Sequence, residues 1–470
     1  MKIIIVGAGL VGRHIAKELS QENKDIIIIE KNNETARIVA NELDCMSINE
    51  DGSRLDVLQK AGIEDCDYFI ALTGVDEVNM ITCGMVASHF KKPKTIARAR
   101  NPYYKTLLSD LRSFLGIDYI INPEIESAEE IVRSLEEGVT KDVFNVIDDR
   151  LQMRILQVKE NSPYIGKTIQ QIRKELDKEF LIPALGRNNT ILIPSGDTEV
   201  KSFDQLYFLG SPKTLDQIFG TFEKKINIRK IGIIGGGTKI GEFVIDGLRH
   251  AIQRPNSGWK AFFPFLAKSS NLSITVLESS KDRAKTLCQL FPDITVIHRD
   301  IGEEDILEKE EFSQFDVVVS VTESQSLNII NAMFAKQIGV HKTIALVVDS
   351  SYLRLSSLAP IDGIISLKSA VVNSILRLVR RGNIQTIHTF YEYDLELLRL
   401  TLSPKAKPVG KQIKDLSLPK DALILFITRG EENIVPSGST MLQPGDLLGF
   451  IVKKDVISKL ETIFESTDEL

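Results

Sequence analysis

Cysteine is scarce and unpatterned in this chain: Cys45, Cys66, Cys83 and Cys288 form no Cys-x-x-Cys pair, and no histidine stands at a spacing suited to zinc. A disulfide framework and a structural zinc site are excluded, and the four are read as reduced core thiols. Long hydrophobic runs are missing too. No stretch reaches the ~18 consecutive apolar residues of a membrane-spanning helix. The apolar start from Ile3 to Val11 is broken by Gly7 and Gly9 and has no small-residue cleavage pattern after Arg13-His14. The expectation is a cytoplasmic chain that reaches a membrane only through a partner. Charge of one sign is not in excess, since 58 basic against 64 acidic residues leave a net -6. No global positive field collects phosphate backbones, so nucleic acid is not an expected partner. Histidine is sparse as well: His14, His89, His250, His298, His341 and His388 show no clustering with carboxylate or serine, which leaves acid-base and nucleophilic catalysis without evident players.

What is present is an ordinary globular composition, 43% hydrophobic and 26% charged over 470 residues, enough for several cores. It is arranged as a tandem repeat. Lys2-Ile3-Ile4-Ile5-Val6-Gly7 returns as Lys230-Ile231-Gly232-Ile233-Ile234-Gly235, Lys94-Thr95-Ile96-Ala97 as Lys342-Thr343-Ile344-Ala345, and Pro194-Ser195-Gly196 as Pro436-Ser437-Gly438. Within each half, short apolar runs alternate with helical patterns, as at Lys2 to Val6, Asp25 to Glu30, Tyr68 to Leu72, Lys94 to Ala99 and Asp118 to Ile121. Such alternation predicts an α/β doubly wound parallel sheet. The tail of each half, with runs such as Gln152 to Val158 and Gln205 to Leu209, predicts a small α+β module. The expected domains are 1–142, 143–224, 225–384 and 385–470, with seams near Val143, Lys225 and Gln385. The second half carries an insertion from Arg254 to Asn271, with Trp259, Phe262, Phe263 and Phe265, readable as a locally packed loop or as a docking wedge for a partner.

Gly7-Ala8-Gly9-Leu10-Val11-Gly12 follows the first strand at once and opens a helix with apolar Ile15, Ala16 and Leu19 on one face. The first glycine makes the turn, the second admits a pyrophosphate and the third lets the helix pack on the strand. Glu30 closes the second strand, where an acid grips an adenosine ribose and repels a 2′-phosphate. NAD(H) or an adenine nucleotide is therefore expected rather than NADP. Asp51-Gly52, Thr73-Gly74, Arg98 and Arg100 all lie near strand C-terminal ends, where a doubly wound sheet binds ligands. Arg98 has two readings, a phosphate contact or a structural salt bridge.

The second half is less regular. Gly235-Gly236-Gly237-Thr238-Lys239-Ile240-Gly241 holds one residue too many for the same glycine spacing. Glu278 ends the matching strand, and Asp300, Thr322 and Asn328 correspond to Asp51, Thr73 and Asn79, but Leu346 and Val348 replace Arg98 and Arg100. A second nucleotide site and a scaffold role are both open.

These residues resemble the RCK (KTN) family, and the doubling is similar to that of the cytosolic subunits of bacterial Trk potassium uptake systems. Beyond the glycine loop and Glu30, the resemblance rests on Asp51-Gly52-Ser53-x-x-Asp56-x-Leu58-x-x-Ala61-Gly62-Ile63-Glu64-Asp65-Cys66-Asp67, on Thr73-Gly74-x-Asp76-Glu77-x-Asn79, and on Ile165-Gly166-Lys167 and Pro444-Gly445-Asp446 in the tails. Glu50 departs from the family's small residue before Asp51. The resemblance implies two Rossmann-like RCK N-terminal domains, each followed by an RCK C-terminal domain, and a homotetramer. It further implies binding of NAD(H) and of ATP or ADP, and gating of a Trk-type potassium channel membrane subunit. Carried over by position, Gly7, Ala8, Gly9, Leu10, Val11, Gly12, Glu30, Asp51, Gly52, Thr73, Gly74, Asn79 and Arg98 are the implied nucleotide contacts, with Glu278 and Asp300 in the second half. No catalytic residue and no metal ligand is expected. A regulator of another cation transporter and a dehydrogenase of the saccharopine type stand as the alternatives.

Overall fold

The computed structural model describes residues 1–22, 24–107, 112, 114–136, 143–147, 151–187, 190–219, 228–253, 272–303, 305–354, 359–380, 384–390, 395–430 and 432–464. The expected seam at Lys225 and the insertion from Arg254 to Asn271 lie outside these residues.

The first half begins with a six-stranded sheet in the order β3-β2-β1-β4-β5-β6. Its strands are β1 (Lys2–Val6), β2 (Asp25–Ile29), β3 (Met46–Ile48), β4 (Tyr68–Ala71), β5 (Lys94–Arg98) and β6 (Tyr119–Ile121). All neighbours pair in parallel, and the central strands β1 and β2 are near-continuous Ile and Val runs buried on both faces rather than alternating ones. The connecting helices are α1 (Leu10–Gln21), α2 (Asn33–Glu42), α3 (Leu55–Lys60), α4 (Asp76–His89), α5 (Pro102–Thr106) and α6 (Pro123–Glu136). The strand order reverses between β1 and β4, which opens a crevice at their C-terminal ends.

An antiparallel sheet follows, β10-β9-β11-β8-β7, built from β7 (Val143–Ile147), β8 (Leu151–Gln157), β9 (Phe180–Arg187), β10 (Thr190–Leu192) and β11 (Gln205–Gly210), with α7 (Ile169–Leu176) and α8 (Pro212–Phe219). Helix α7 starts at a full capping box between Thr168 and Gln171.

The second half repeats both sheets. The parallel one, β14-β13-β12-β15-β16-β17, uses β12 (Lys230–Ile234), β13 (Ser273–Glu278), β14 (Thr295–His298), β15 (Val317–Ser320), β16 (Lys342–Val347) and β17 (Gly363–Ser366). Its helices are α9 (Lys239–Gln253), α10 (Lys281–Leu290), α11 (Ile306–Lys309), α12 (Gln325–Gln337) and α13 (Leu367–Val379). The antiparallel one, β18-β19-β22-β20-β21, uses β18 (Gln385–Phe390), β19 (Leu395–Thr401), β20 (Ala422–Arg429), β21 (Glu432–Ile434) and β22 (Leu447–Lys453), with α14 (Ile457–Phe464).

The chain divides into two compact units, Met1–Arg133 with Ile228–Val379, and Ser134–Asn227 with Arg380–Leu470. In the first, α13 of the second repeat lies on the first repeat's sheet. Val371, Val372, Ile375, Leu376 and Val379 share one core with Ile3, Ile5, Ile15, Leu19, Ile26 and Ile28. Tyr68 closes the end of that helix by donating its hydroxyl to the Leu378 carbonyl at 2.9 Å. In the second unit, the two antiparallel sheets bury a common core that includes Met153, Ala184 and Tyr207 from one, and Leu397, Phe426 and Ile451 from the other. Each of these modules also carries the same bidentate pair: Arg187 grips Asp204 at 2.8 and 2.6 Å, and Arg429 grips Asp446 at 2.8 and 2.9 Å.

The cysteine expectation holds only in part. Cys66 and Cys83 are buried and their thiols are pushed up, Cys66 to about 11, by loss of solvent, but Cys45 is half-buried and Cys288 is exposed.

Candidate functional site

The glycine loop sits where β1 ends against the segment after β4. Gly7 takes φ +100°, a left-handed turn no side chain adopts without strain, and a Cβ there would stand 3.0 Å from the Leu72 carbonyl and the Thr73 amide. A Cβ on Gly12 would strike the Gly7 carbonyl oxygen, so the third glycine is what lets α1 approach the turn. Gly9 differs from both: nothing lies within 4 Å of the place its Cβ would occupy. The same is true of Gly74 on the far wall.

Helix α1 therefore opens onto free space, and its amino end is left unsatisfied by the protein. Gly9 is the N-cap, no side chain caps the helix, and its first turn holds no acid. Unpaired N–H groups and the positive end of the helix dipole together make an anion site.

Glu30 stands beside it. One carboxylate oxygen accepts from the Ala8 amide at 2.6 Å and the other from the Asn32 amide at 2.7 Å. These bonds fix the carboxylate and leave further lone pairs for hydroxyl donors such as those of a ribose. Asp51 accepts from the Ser53 amide and hydroxyl at 3.0 and 2.7 Å and from Lys31 at 2.9 Å. Those bonds, Ser53's foremost, hold its carboxyl down to about 2.

Arg98 closes the opposite side. Its Nε is buried with no hydrogen-bond partner, and burial, with Arg100 nearby, lowers the guanidinium's proton affinity. A cation held this way gains from an incoming anion. Among the described residues no ion pair within 4 Å joins Arg98 to an acid, although Glu124 and Asp76 act on it through space and oppose the effect of burial.

Two implied contacts take other parts. Gly52 is buried, and a Cβ on it would collide with the Val6 and Ile29 side chains, so it serves packing. Asn79 is fully buried, and its amide is spent on the protein. Its oxygen accepts from the Thr73 amide and hydroxyl at 2.8 and 2.7 Å, and its nitrogen donates to the Thr73 and Arg98 carbonyls at 3.2 and 2.9 Å. It has no atom left for a ligand. Ala8 and Val11 are likewise buried and offer only backbone, whereas Leu10 is exposed at the mouth.

The second cleft is built on the same plan and closed by its own groups. The Gly237 amide donates to Glu278 at 2.9 Å, and a Cβ on Gly237 would lie 2.6 Å from that carboxylate and 2.7 Å from Arg283. The Thr238 hydroxyl accepts from the Gly241 amide at 3.0 Å, and Glu242 brings an acid into the first turn of α9. Arg283 meets Glu323 at 2.6 Å, joining the segments after β13 and β15. Asp300 accepts from the Gly302 amide at 2.9 Å. The strand-end glutamate holds two amides in both clefts, those of Ala8 and Asn32 on Glu30 and those of Gly237 and Ser280 on Glu278; the crowding around Gly237 and the Thr238 cap set the second apart.

Sequence reading passed over Glu124 and Lys368, which occupy matching places in the first turns of α6 and α13. Glu124 has a buried carboxylate oxygen without a partner, while buried Lys368 is satisfied by Asp349 at 2.8 Å. Their position just past the strands β6 and β17, at the ligand-bearing edge of each sheet, was the available signal.

Comparison with known proteins agrees with this plan. The TrkA-N domain matches residues 3–123 and 265–367, and the TrkA-C domain matches 153–222 and 397–465. The chain is 31% identical over 473 residues to the Trk system potassium uptake protein TrkA homolog 1 of Methanosarcina mazei, covering 99% of this chain and 100% of that one. It is 28% identical over 472 residues to Trk system potassium uptake protein TrkA of Halomonas elongata, covering 99% of each. Among solved structures, the GsuK RCK domain is similar at a TM-score of 0.50 and 18% identity, covering 98% of this chain and 94% of that one. The GsuK channel bound to NAD is similar at 0.50 and 18%, covering 99% and 78%. With both domains present twice and in alternation, the chain belongs to the TrkA family of Trk-system potassium uptake proteins.

Proposed function

We infer that this chain is a nucleotide-binding peripheral regulatory subunit that gates a Trk-type potassium uptake channel in response to NAD(H) and to ATP or ADP. It works as a homotetramer at the inner face of the membrane, held there by the membrane subunit. No helix among the described residues is long and apolar enough to cross a membrane. The observation that carries the reading is the uncapped start of α1, open between Gly9 and Gly74 and flanked by Glu30 and Arg98. The names of the relatives supply the transport system, and the NAD-bound GsuK channel supplies a precedent for NAD on a channel with this fold.

Our division of the chain remains four modules, 1–142, 143–224, 225–384 and 385–470. The first cleft is the stronger nucleotide site, because the second caps its helix with the Thr238 hydroxyl, bridges its mouth with Arg283 and Glu323 and has Leu346 in place of Arg98, whereas a loop amide is bonded to the strand-end glutamate in both. A regulator rather than an oxidoreductase follows from the company the domains keep, since hydride transfer needs a positioned acid or base beside the cofactor.

Gating needs little from each site. Swinging a two-state gate from 1:99 to 99:1 takes ~5.5 kcal/mol of differential binding, ~1.4 kcal/mol per site if four share it. One charge-assisted hydrogen bond, such as a phosphate to Arg98, is of that size. Titration calorimetry of NADH, NAD, ATP and ADP into the full chain tests the site. Glu30→Ala should weaken every adenosine ligand by roughly tenfold, ~1.4 kcal/mol. Undiminished affinity in that variant overturns the assignment.

A further inference from the structure

Beyond the last paired residues of β4 and β5, Ala71 and Ala97, the backbone ladder between these strands stops. The Asn79 side chain continues it. Reaching back from α4, its amide ties the Thr73 backbone and hydroxyl to the Arg98 carbonyl. Because the Gly7 turn lies so close to Thr73 that a Cβ on Gly7 would stand 3.0 Å from the Thr73 amide, this one side chain bears on the spacing of the glycine turn, the Thr73-Gly74 wall and Arg98. The Arg98 Nε has no partner of its own, so the placement of the guanidinium depends on how its backbone is held.

The second repeat contains the same device. Asn328, buried, accepts from the Thr322 amide and hydroxyl at 2.8 and 2.6 Å and donates to the Thr322 and Leu346 carbonyls at 3.0 and 2.9 Å. There the held residue is Leu346, which offers no charge. Asn328 also accepts from the buried Ser320 hydroxyl at 3.1 Å, so the two asparagines do similar structural service, and only the first holds a phosphate-binding group in place.

We propose that Asn79 is a positioning residue that sets the preference of the first cleft for phosphate-rich over dinucleotide ligands, by fixing Arg98 against the Thr73-Gly74 wall. The inference rests on the reading of that cleft as a nucleotide site. It requires no contact between Asn79 and the ligand.

The test uses the full chain and four variants: Asn79→Ser, Asn328→Ser, Arg98→Ala, and Asn79→Ser combined with Arg98→Ala. Dissociation constants for ATP and for NAD are measured alongside melting temperature. Asn79→Ser and Asn328→Ser should both lower the melting temperature. Only Asn79→Ser should shift the ATP-to-NAD ratio, by roughly tenfold against ATP, and the shift should vanish in the Arg98→Ala background. A ratio unmoved by Asn79→Ser, moved equally by Asn328→Ser, or moved undiminished without Arg98 overturns the proposal. Should Asn79→Ser fail to fold, amide exchange in the unsubstituted chain decides: ATP should slow the Thr73 amide and leave the Thr322 amide unchanged, and equal or absent slowing contradicts it. A chain that binds neither ATP nor NAD overturns the reading of the cleft itself, and this inference with it.

Discussion

The Ser374 hydroxyl donates to the Glu126 carboxylate across 2.7 Å, both groups buried, although 248 residues separate them in the chain. The bond joins α13 of the second repeat to α6 of the first, and Arg377 adds its guanidinium 3.7 Å from the same carboxylate. The first Rossmann-like half is thus not complete alone: its core is shared with the apolar face of α13.

That dependence is measurable. Ser374→Ala removes a donor from a buried carboxylate and should cost ~1.5–3 kcal/mol. Ile375→Ala, cut from the centre of the shared core, should cost ~2–5 kcal/mol. Urea unfolding followed through the first half's signals reads both, because the loss is felt on β1 and β2 and not on α13 alone.

The glycine loop separates fold from function. Gly9→Ala places its methyl in open space, at φ -62° and ψ -175°, which any residue adopts. Alanine is a poorer N-cap but a less flexible unfolded residue, so stability should change by less than ~1 kcal/mol while nucleotide affinity falls. Gly12→Ala drives its methyl into the Gly7 carbonyl and should cost ~1–3 kcal/mol or more whether or not ligand is present. Thermal melts with and without NADH distinguish the two.

Asp51 gives a pH signature. Its carboxyl is lowered to about 2 by hydrogen bonds from Ser53 and Lys31, against ~3.9 in an unfolded chain. A depressed folded value means stability fully present above about 3.9 and lost as pH falls through about 2. The pair is exposed enough that the contribution stays below ~1 kcal/mol. Carboxyl NMR titration should show Asp51 among the most acidic groups, moving up in Lys31→Met.

In the second compact unit, Arg380 and Glu396 form a buried bidentate pair at 2.8 and 3.0 Å. Removing one partner strands the other's charge away from water. Arg380→Met should cost ~3–5 kcal/mol, and replacing Glu396 with leucine as well should recover much of the loss. Chemical denaturation of the two variants provides the comparison.

Much of the first cleft was legible because its chemistry is local. Gly7, Gly9 and Gly12 fall within one turn, and Glu30 ends the next strand, so spacing alone places them together. Asn79 entered among the nucleotide contacts through the family resemblance of Thr73-Gly74-x-Asp76-Glu77-x-Asn79, whereas its amide folds back onto the strand ends. The corrective lay in the repeat, where Asn328 persists although Leu346 has replaced the arginine; a residue kept after its charged neighbour is lost serves the fold. The cover that α13 gives the first sheet was not legible. An apolar helix announces that it is buried, and nearly every side of α13 is, but the pattern does not say against which strands. The closure of the second cleft is similar, since an extra residue predicts a different path without predicting the Thr238 cap or the bridge from Arg283 to Glu323.

The central claim is that nucleotide in the first cleft controls potassium flow. Rubidium or potassium flux through proteoliposomes holding the cognate Trk membrane subunit tests it most directly, with this chain or its Glu30→Ala variant added under ATP, ADP, NAD and NADH in turn. Flux should change with the unsubstituted chain in a nucleotide-dependent way, and the dependence should weaken in Glu30→Ala. Flux indifferent to the chain and to every nucleotide, or equally responsive with Glu30→Ala, would contradict it.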